Sequence, residues 1–193
     1  MPAYPDSWLE LANLAIGRIG KPAIATMDEG NATANFVNLY LGEVIDAVLD
    51  VADWRCLRAR ADFARLSSVP AFGYLYEYQL PVGFHHPVVV EMETSDYEIE
   101  GDRLLTDSSY VRMIFTRRPD DPAVLSPWLY KLIVCELAVR LTTPLTSSEG
   151  LIQRLMSERN DQLVIARRSE ARLGPDLQPE TARGYAYSEE LRG

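Results

Sequence analysis

The sequence predicts an α+β fold, in which a helical bundle carries a small antiparallel β-sheet inserted between its second helical segment and its C-terminal helices. Apolar residues recur at helical spacing over residues 7–66 and again over residues 127–170. Over residues 74–116 apolar and polar residues alternate instead, which is typical of half-buried strands. The chain has 193 residues, of which 47% are hydrophobic, so we exclude a largely disordered chain. We expect a single domain at residues 1–172 and an extended arm at residues 173–193.

The first predicted helix spans residues 7–19. "SWLE" is a capping box, in which the Ser7 hydroxyl accepts a hydrogen bond from the backbone N–H of Glu10. Gly20 follows the last apolar position and is placed to end the helix in a left-handed conformation. Gly17 lies inside the helix, where glycine costs about 1 kcal/mol relative to alanine. That cost predicts a neighbouring element packed closely against Gly17.

Three further helical segments complete the predicted bundle. The second is predicted at residues 31–66, as one long helix or a helix with a kinked extension. Within it, Trp54 and Ala61 are placed toward the core. The last two helices are predicted at residues 127–142 and 147–170. The first of these is apolar nearly all round, which indicates deep burial.

The predicted β-insert, at about residues 74–116, begins with "YLYEYQLP", in which three tyrosines share one parity. We expect the tyrosines to pack the insert onto the helical core, while Glu77 faces water or a neighbouring subunit. The proline cannot donate to a β-ladder and therefore ends the strand. "EGDR", from Glu100 to Arg103, predicts a tight hairpin. The residues assigned to packing of the insert are Tyr74, Tyr76, Tyr78 and Pro81.

A stacking platform for nucleic-acid bases is the alternative use of these tyrosines. Base stacking of that kind needs a cationic groove. The chain has a net charge of −9, and the strand lies among acidic residues. Tight binding to DNA phosphates also depends on cations. The charge therefore favours a structural role for the tyrosines and a surface that DNA passes without specific binding.

The sequence gives little indication of a membrane segment, a signal peptide or a disulfide. No apolar run approaches the roughly 20 residues of a bilayer span. The N-terminus lacks the basic start and apolar stretch of a signal peptide. We expect a soluble intracellular product with no membrane partner. The two cysteines, Cys56 and Cys135, are expected to act as small hydrophobes rather than as a disulfide or metal ligands.

The sequence contains no nucleophile elbow, P-loop or dinucleotide fingerprint, so we predict no catalytic residue and no cofactor. Glu43, Asp46 and Asp50 share one helix face. A metal site is one interpretation of that face, and a solvated surface, which we favour, is the other. His85 and His86 are neighbours in a predicted strand and should point to opposite faces, so we do not expect them to share a metal; chelation becomes possible only if the backbone turns there.

The enzymatic alternative is a cell-wall (peptidoglycan) hydrolase that uses acids of the insert. Glycoside hydrolysis needs two carboxyl groups a defined distance apart. Alternating acids are also typical of a solvated sheet face, which we favour. The acids in question are Glu91, Glu93, Asp96, Glu98, Glu100 and Asp102.

Arginines form the main basic clusters of the chain. Because acids outnumber bases, 28 to 19, pairing with acids of other copies is a more natural use for these arginines than DNA binding. The clustered arginines are Arg55, Arg58, Arg60, Arg65, Arg154, Arg159, Arg167, Arg168 and Arg172.

A set of short motifs occurs in a specific order along the chain. The order is "NLAIGRIG", "TMDEGNATA", "VLDVADWRCLRARADFARL", "PAFGYLYEYQLP", "YEIEGDRLLTDSSYVRMIFTRR" and "LAVRLTTPLTSSEGL". In this order and spacing, over about residues 7–170, the sequence resembles the tail tubular protein A family of short-tailed bacteriophages.

The resemblance implies a non-enzymatic structural protein with a helical core and an inserted β-structure. Members of that family form a dodecameric ring between the portal protein and the tail nozzle protein, and DNA leaves through the lumen. The implied location is the head–tail junction of the virion, with the host cytoplasm as the site of assembly.

The resemblance also implies that the C-terminal arm, at residues 173–193, engages a neighbouring subunit or the portal. The arm contains two prolines and a glycine that suit ordering on a partner: Pro175, Pro179 and Gly184. The residues expected at that interface are Leu177, Arg183, Tyr185 and Tyr187.

Overall fold

The computed structural model describes residues 7–146 and 148–174, and it confirms the α+β class. The described residues form two compact units. The helical unit contains the described residues up to Leu57 and from Arg118 onward, and the β unit contains residues 58–117. Within the part of the chain that the structure describes, no helix has both the length and the apolar character that a bilayer crossing requires.

The helical unit is built from four α-helices around one core. They are α1 (Trp8–Arg18), α2 (Ala32–Leu49), α3 (Pro127–Thr146) and α4 (Glu149–Ala171). Helix α3 packs against each of the other three, and it is buried on most sides, as its sequence predicted. The largest buried side chains of this core include Leu11, Ile16, Leu49, Trp54, Leu129, Ile133, Leu137 and Leu141.

The ends of α1 follow from its local sequence. The Ser7 hydroxyl accepts from the backbone N–H of Glu10 at 3.2 Å, which confirms the predicted start. Gly20 has a φ of +73° and donates its N–H to the Gly17 carbonyl at 3.1 Å, so the predicted left-handed end is also confirmed. The expectation of a close neighbour at Gly17 is wrong for the described residues, because outside the neighbouring helix backbone none of their atoms lies within 4 Å of a Cβ built there.

Helix α2 is much shorter than the helix predicted at residues 31–66. It begins after Asn31, whose side chain accepts from the Ala34 N–H at 2.8 Å, and it ends at Leu49. The indole N–H of buried Trp54 then donates to the Val48 carbonyl at 2.8 Å, folding the chain back over the last turn of the helix.

A strand replaces the predicted end of that helix. After a short 3-10 turn, strand β1 (Arg58–Phe63) begins. The letters "RARADF" alternate with a period of two, which suits a strand in which every second side chain faces inward. Ala61, which we expected in the helical core, instead packs against the core of the β unit.

The β unit has six strands rather than one small sheet beginning at residue 74. The strands are β1, β2 (Tyr76–Gln79), β3 (Phe84–Glu91), β4 (Tyr97–Glu100), β5 (Arg103–Thr106) and β6 (Val111–Arg117). They form two antiparallel three-stranded sheets, ordered β1-β6-β3 and β2-β5-β4. Both sheets contribute to one buried cluster of Tyr78, Leu80, Leu104, Val111, Met113 and Phe115. The insert is therefore a small β-sandwich with a core of its own.

The remaining boundaries agree with the sequence patterns within a few residues. Strands β4 and β5 are joined by the predicted two-residue hairpin, with Glu100 opposite Arg103 and a φ of +60° at Gly101. Helices α3 and α4 lie where helices were predicted at residues 127–142 and 147–170.

Candidate interaction surfaces

The tyrosines of "YLYEYQLP" divide between the core and the surface of the β unit. The Tyr78 side chain is 1% exposed, and its hydroxyl donates to the Ser108 carbonyl at 2.8 Å. Burial raises the pKa of this hydroxyl. Tyr76 packs against the same core while the Arg65 guanidinium lies 4.7 Å from its ring centroid. Both tyrosines thus stabilise the β-sandwich itself, and their proposed packing onto the helical core stays a prediction.

Tyr74 lies before the start of strand β2, and Pro81 lies beyond its end. The Tyr74 hydroxyl lies 3.5 Å from Asp96, and desolvation followed by the charge of Asp96 raises its pKa. Pro81 lies beyond the last strand residue, and its carbonyl accepts from the Phe84 N–H at 3.0 Å. The prediction that Pro81 ends the strand is confirmed, because the chain turns toward β3 there.

Glu77 was expected on a wet face, and that expectation is wrong. Its side chain is buried, and one carboxylate oxygen lies 2.6 Å from Nη1 of Arg103. Hydrogen bonds from Ser68 and then from Arg103 lower the pKa of the carboxyl group. Ser68 belongs to the β1–β2 loop (residues 64–75). A loop residue, which strand alternation does not describe, therefore helps to bury Glu77.

The β1–β2 loop is held at both ends. Near its start the Leu66 N–H donates to the Glu77 carbonyl at 2.9 Å, and Arg65 forms a β-bridge with Tyr78. At its end the Leu75 N–H donates to an Asp107 carboxylate oxygen at 2.8 Å. Its backbone is therefore anchored to the β-sandwich on either side of the exposed centre.

Three exposed apolar side chains lie on this loop, and we call them the apolar tip: Val69, Phe72 and Leu75. These side chains are 68%, 89% and 59% exposed. Single exposed apolar residues are common on protein surfaces, but three within seven residues of one anchored loop are a candidate contact for a partner. The sequence patterns did not identify this tip, because a loop has no regular alternation of buried and exposed residues.

Acidic side chains accompany the apolar tip. Asp96, Glu98 and Asp107 all lie near enough to the Tyr74 hydroxyl for their charges to raise its pKa, after the effect of desolvation. We call these three residues the acidic collar. Asp107 also holds Leu75 through the loop hydrogen bond. The tip therefore combines an apolar end with a negatively charged base.

The helical unit has a surface depression of about 470 Å³ between α2, α3 and α4, which we call the helical groove. Glu136 at this groove accepts ion pairs from Nε of Arg159 at 3.2 Å and from Nε of Arg140 at 3.5 Å. Arg140 also reaches Glu43 through Nη2 at 3.3 Å. The lining residues are Tyr40, Glu136, Val139, Arg140, Thr143, Ile152, Met156 and Arg159.

No protein-family model and no curated protein sequence matches this chain.

Two acids on α2, Glu43 and Asp46, form ion pairs with arginines of the same chain. Glu43 pairs with Arg140, and Asp46 pairs with Nε of Arg118 at 3.1 Å. Arg18 likewise pairs with Glu158 at 2.9 Å. These pairs favour the surface interpretation over a metal site for Glu43 and Asp46. Several arginines thus meet acids within one subunit.

The two histidines lie closer together than the strand pattern predicted. Strand β3 has a register shift between Phe84 and His86, which is a β-bulge or related irregularity. The rings of His85 and His86 have centroids 5.1 Å apart, so the expectation that they point to opposite faces is wrong. The Nε2 atom of His86 lies 3.1 Å from the Thr116 hydroxyl.

The acids considered for hydrolysis have other structural roles. Glu93 accepts from the backbone N–H of Ser109 and from its hydroxyl, at 3.0 and 2.8 Å, and these bonds lower its pKa. A general acid needs the opposite shift. Glu98 and Glu100 are exposed on β4, where they lie opposite Leu105 and Arg103.

The interface residues predicted in the C-terminal arm lie outside the described residues. They are Leu177, Arg183, Tyr185 and Tyr187. Their assignment stays a prediction.

Proposed function

We propose that this chain is a ring-forming head-to-tail adaptor of a short-tailed bacteriophage. In this role it is a structural virion protein that joins the portal to the tail nozzle and contributes to the DNA ejection channel. The observation that carries the proposal is the order of elements. A helical unit is interrupted once, between α2 and α3, by a complete β-sandwich. The resemblance to the tail tubular protein A family implies the same order.

The apolar tip supports a role in protein assembly. Phe72 alone is 89% exposed, on a loop whose two ends are hydrogen-bonded to the β-sandwich. An exposed apolar patch on an anchored segment is typical of a surface that a partner covers. The β unit is thus the part of the adaptor that presents a contact platform.

The ion pairs of the helical unit support a subunit that folds before it assembles. Arg18 ties α1 to α4 through Glu158, and Arg140 ties α3 to α2 through Glu43. These links lie within one chain and need no second copy. We therefore expect the free protein to be a monomer or a small oligomer, with the ring forming on the portal.

The partners follow from this role. They are further copies of the chain in a dodecameric ring, the portal protein and the tail nozzle protein. The net charge of −9 suits a lumen through which DNA passes without specific binding. The proposed location is the head–tail junction of the virion, reached after assembly in the host cytoplasm. No enzymatic activity belongs to this role.

Native mass spectrometry with and without the portal protein of the same genome tests the proposal. The isolated chain should be monomeric or a small oligomer, and addition of portal rings should yield a complex that carries a ring of this chain. A stable dodecamer of the isolated chain would contradict assembly on the portal. A failure to associate with portal rings would contradict the adaptor role itself.

A zymogram on purified peptidoglycan tests the hydrolase alternative. The adaptor proposal predicts no cleared band for the wild-type chain. Glu98→Gln and Glu100→Gln are the informative variants, because both side chains are exposed and their substitution should leave the fold intact. A wild-type band that disappears in these variants would favour the hydrolase.

A further inference from the structure

We propose that the apolar tip of one copy binds the helical groove of a second copy. The choice of a second copy as the partner rests on the proposed ring-forming function. The tip and the groove are formed by different residues, so a contact between them would be heterologous. A heterologous contact repeats from one subunit to the next and closes into a ring when the rotation allows it.

The tip has the properties of an inserting element. Its loop is anchored by the bonds from Leu66 to Glu77 and from Leu75 to Asp107, at 2.9 and 2.8 Å. An anchored loop loses little conformational freedom when it binds. Phe72 extends into solvent at its centre and is the one aromatic side chain of the tip. Aromatic residues in fully covered pockets contribute strongly to protein interfaces.

The acidic collar restricts the kind of partner. Asp96 lies 3.5 Å from the Tyr74 hydroxyl, and Asp107 accepts from the Leu75 N–H at 2.8 Å, so acids of the collar adjoin the loop and would be repelled by the anionic headgroups of a membrane surface. The same carboxylates would be attracted to arginines beside an apolar pocket. A protein surface with an apolar floor and arginines at its rim is therefore the partner that fits.

The helical groove offers this combination. Tyr40, Val139 and Met156 supply apolar lining, and Met156 is 38% exposed. Arg140 and Arg159 lie at the same groove. The groove is an open depression of about 470 Å³, lined by polar as well as apolar side chains.

The groove arginines form internal ion pairs, but their side chains are still 41% exposed for Arg140 and 28% exposed for Arg159. Arg159 pairs with Glu136 through Nε, and Arg140 uses Nε for Glu136 and Nη2 for Glu43. A guanidinium group has five N–H donors. Carboxylates of the collar can therefore bind these arginines while Glu136 and Glu43 keep theirs.

Photo-crosslinking tests the contact directly. Phe72 is replaced by the photoreactive p-benzoyl-phenylalanine, and this variant is mixed with an isotope-labelled wild-type chain, with and without portal rings. We expect crosslinks between position 72 and labelled peptides of α3 and α4 that line the groove. The same replacement at Val82, which is 96% exposed outside the tip, is the matched control and should not crosslink to the groove.

Crosslinks from position 72 only to other surfaces, only to the portal, or only within the same chain would overturn the proposal. Binding of the wild-type chain to anionic vesicles that is lost in Phe72→Ser would also overturn it, because the tip would then be a membrane element.

A mixing experiment separates a tip-to-groove contact from other forms of self-association. Phe72→Ser removes the tip, and Met156→Glu places a charge in the groove; each should weaken self-association by roughly tenfold or more. Both positions are exposed, so the variants should keep the melting temperature of the wild type. In sedimentation velocity, at a concentration at which the wild-type chain self-associates, an equimolar mixture should form dimers and nothing larger, because one intact tip and one intact groove remain. Oligomers of either single variant as large as those of the wild type would contradict the proposal.

The outcomes also separate this inference from the proposed function. If Phe72→Ser still forms a ring on the portal, the tip contact is wrong and the adaptor role stands. If the wild-type chain does not bind the portal while the mixture of the two variants forms dimers, the tip-to-groove contact stands and the adaptor role is wrong.

Discussion

A carboxylate oxygen of Glu77 lies 2.6 Å from Nη1 of Arg103, in an ion pair whose acid is 6% exposed and whose base is 44% exposed. The pair joins adjacent strands of the β2-β5-β4 sheet. The acid is also bonded by Ser68 of the β1–β2 loop. One buried carboxylate therefore connects the sheet to the loop that carries the apolar tip.

Removal of the basic partner should destabilise the β unit. In Arg103→Met the Glu77 carboxylate stays buried and loses its counter-charge, which is more harmful than loss of both charges together. We expect a lower melting temperature for Arg103→Met than for the double variant Glu77→Leu/Arg103→Met. Thermal unfolding followed by circular dichroism measures both. Equal melting temperatures of wild type and Arg103→Met would show that the pair contributes nothing.

The lowered pKa of Glu77 predicts a pH dependence of stability. An unfolded glutamate has a pKa of about 4.3. Because the folded pKa is lower, the stabilisation from ionised Glu77 is fully present above the unfolded value and is lost as the pH falls through the folded value. Melting temperatures of wild type and Glu77→Gln should therefore differ most at neutral pH and converge on acidification. A difference that grew toward low pH would contradict this assignment. The comparison with Glu77→Gln removes the parallel contribution of Glu93, whose pKa is also lowered.

The Tyr78 hydroxyl should stabilise the β-sandwich through its bond to the Ser108 carbonyl. Tyr78→Phe leaves that buried acceptor without its donor, and we expect a loss of about 1 kcal/mol in the free energy of unfolding. Urea denaturation measures it. Tyr74→Phe is the control, since its hydroxyl lies 3.5 Å from exposed Asp96 and should contribute little. The prediction fails if the two variants lose the same amount.

Gly17→Ala should stabilise the helical unit. A Cβ at this position meets nothing within 4 Å, so the gain in helix propensity, about 0.5–1 kcal/mol, is not offset by a clash. Gly42→Ala is the matched control in α2, where the added Cβ would lie 3.2 Å from Nη2 of Arg118. Urea denaturation should show a larger gain for Gly17→Ala than for Gly42→Ala. A loss of stability in Gly17→Ala would indicate a close neighbour after all.

Local signals explain which parts of the fold the sequence predicted. The cap at Ser7, the left-handed Gly20 and the hairpin at Gly101 all depend on residues adjacent in sequence, and all three are confirmed. Strand β1 was missed because "RARADF" is rich in alanine and arginine, which favour helices, and it follows a long helical pattern. Its pairing with β6 is a non-local contact that overrides this propensity.

The surfaces were less predictable than the elements. Strand alternation placed Glu77 on the solvent-exposed face. It takes no account of the loop, in which Ser68 bonds the Glu77 carboxylate and the Leu66 N–H donates to the Glu77 carbonyl. The exposure of Phe72 likewise follows from the path of an anchored loop rather than from any period. The helical groove gathers residues from three helices that are far apart in sequence, such as Tyr40 and Met156. Such sites depend on contacts between residues far apart in sequence, which local sequence patterns do not predict.

Electron microscopy of the chain mixed with portal rings of the same genome tests the adaptor role most directly. The account predicts a ring of this chain on one face of the portal, coaxial with its channel. Portal rings that remain bare at a saturating concentration of folded chain would contradict it.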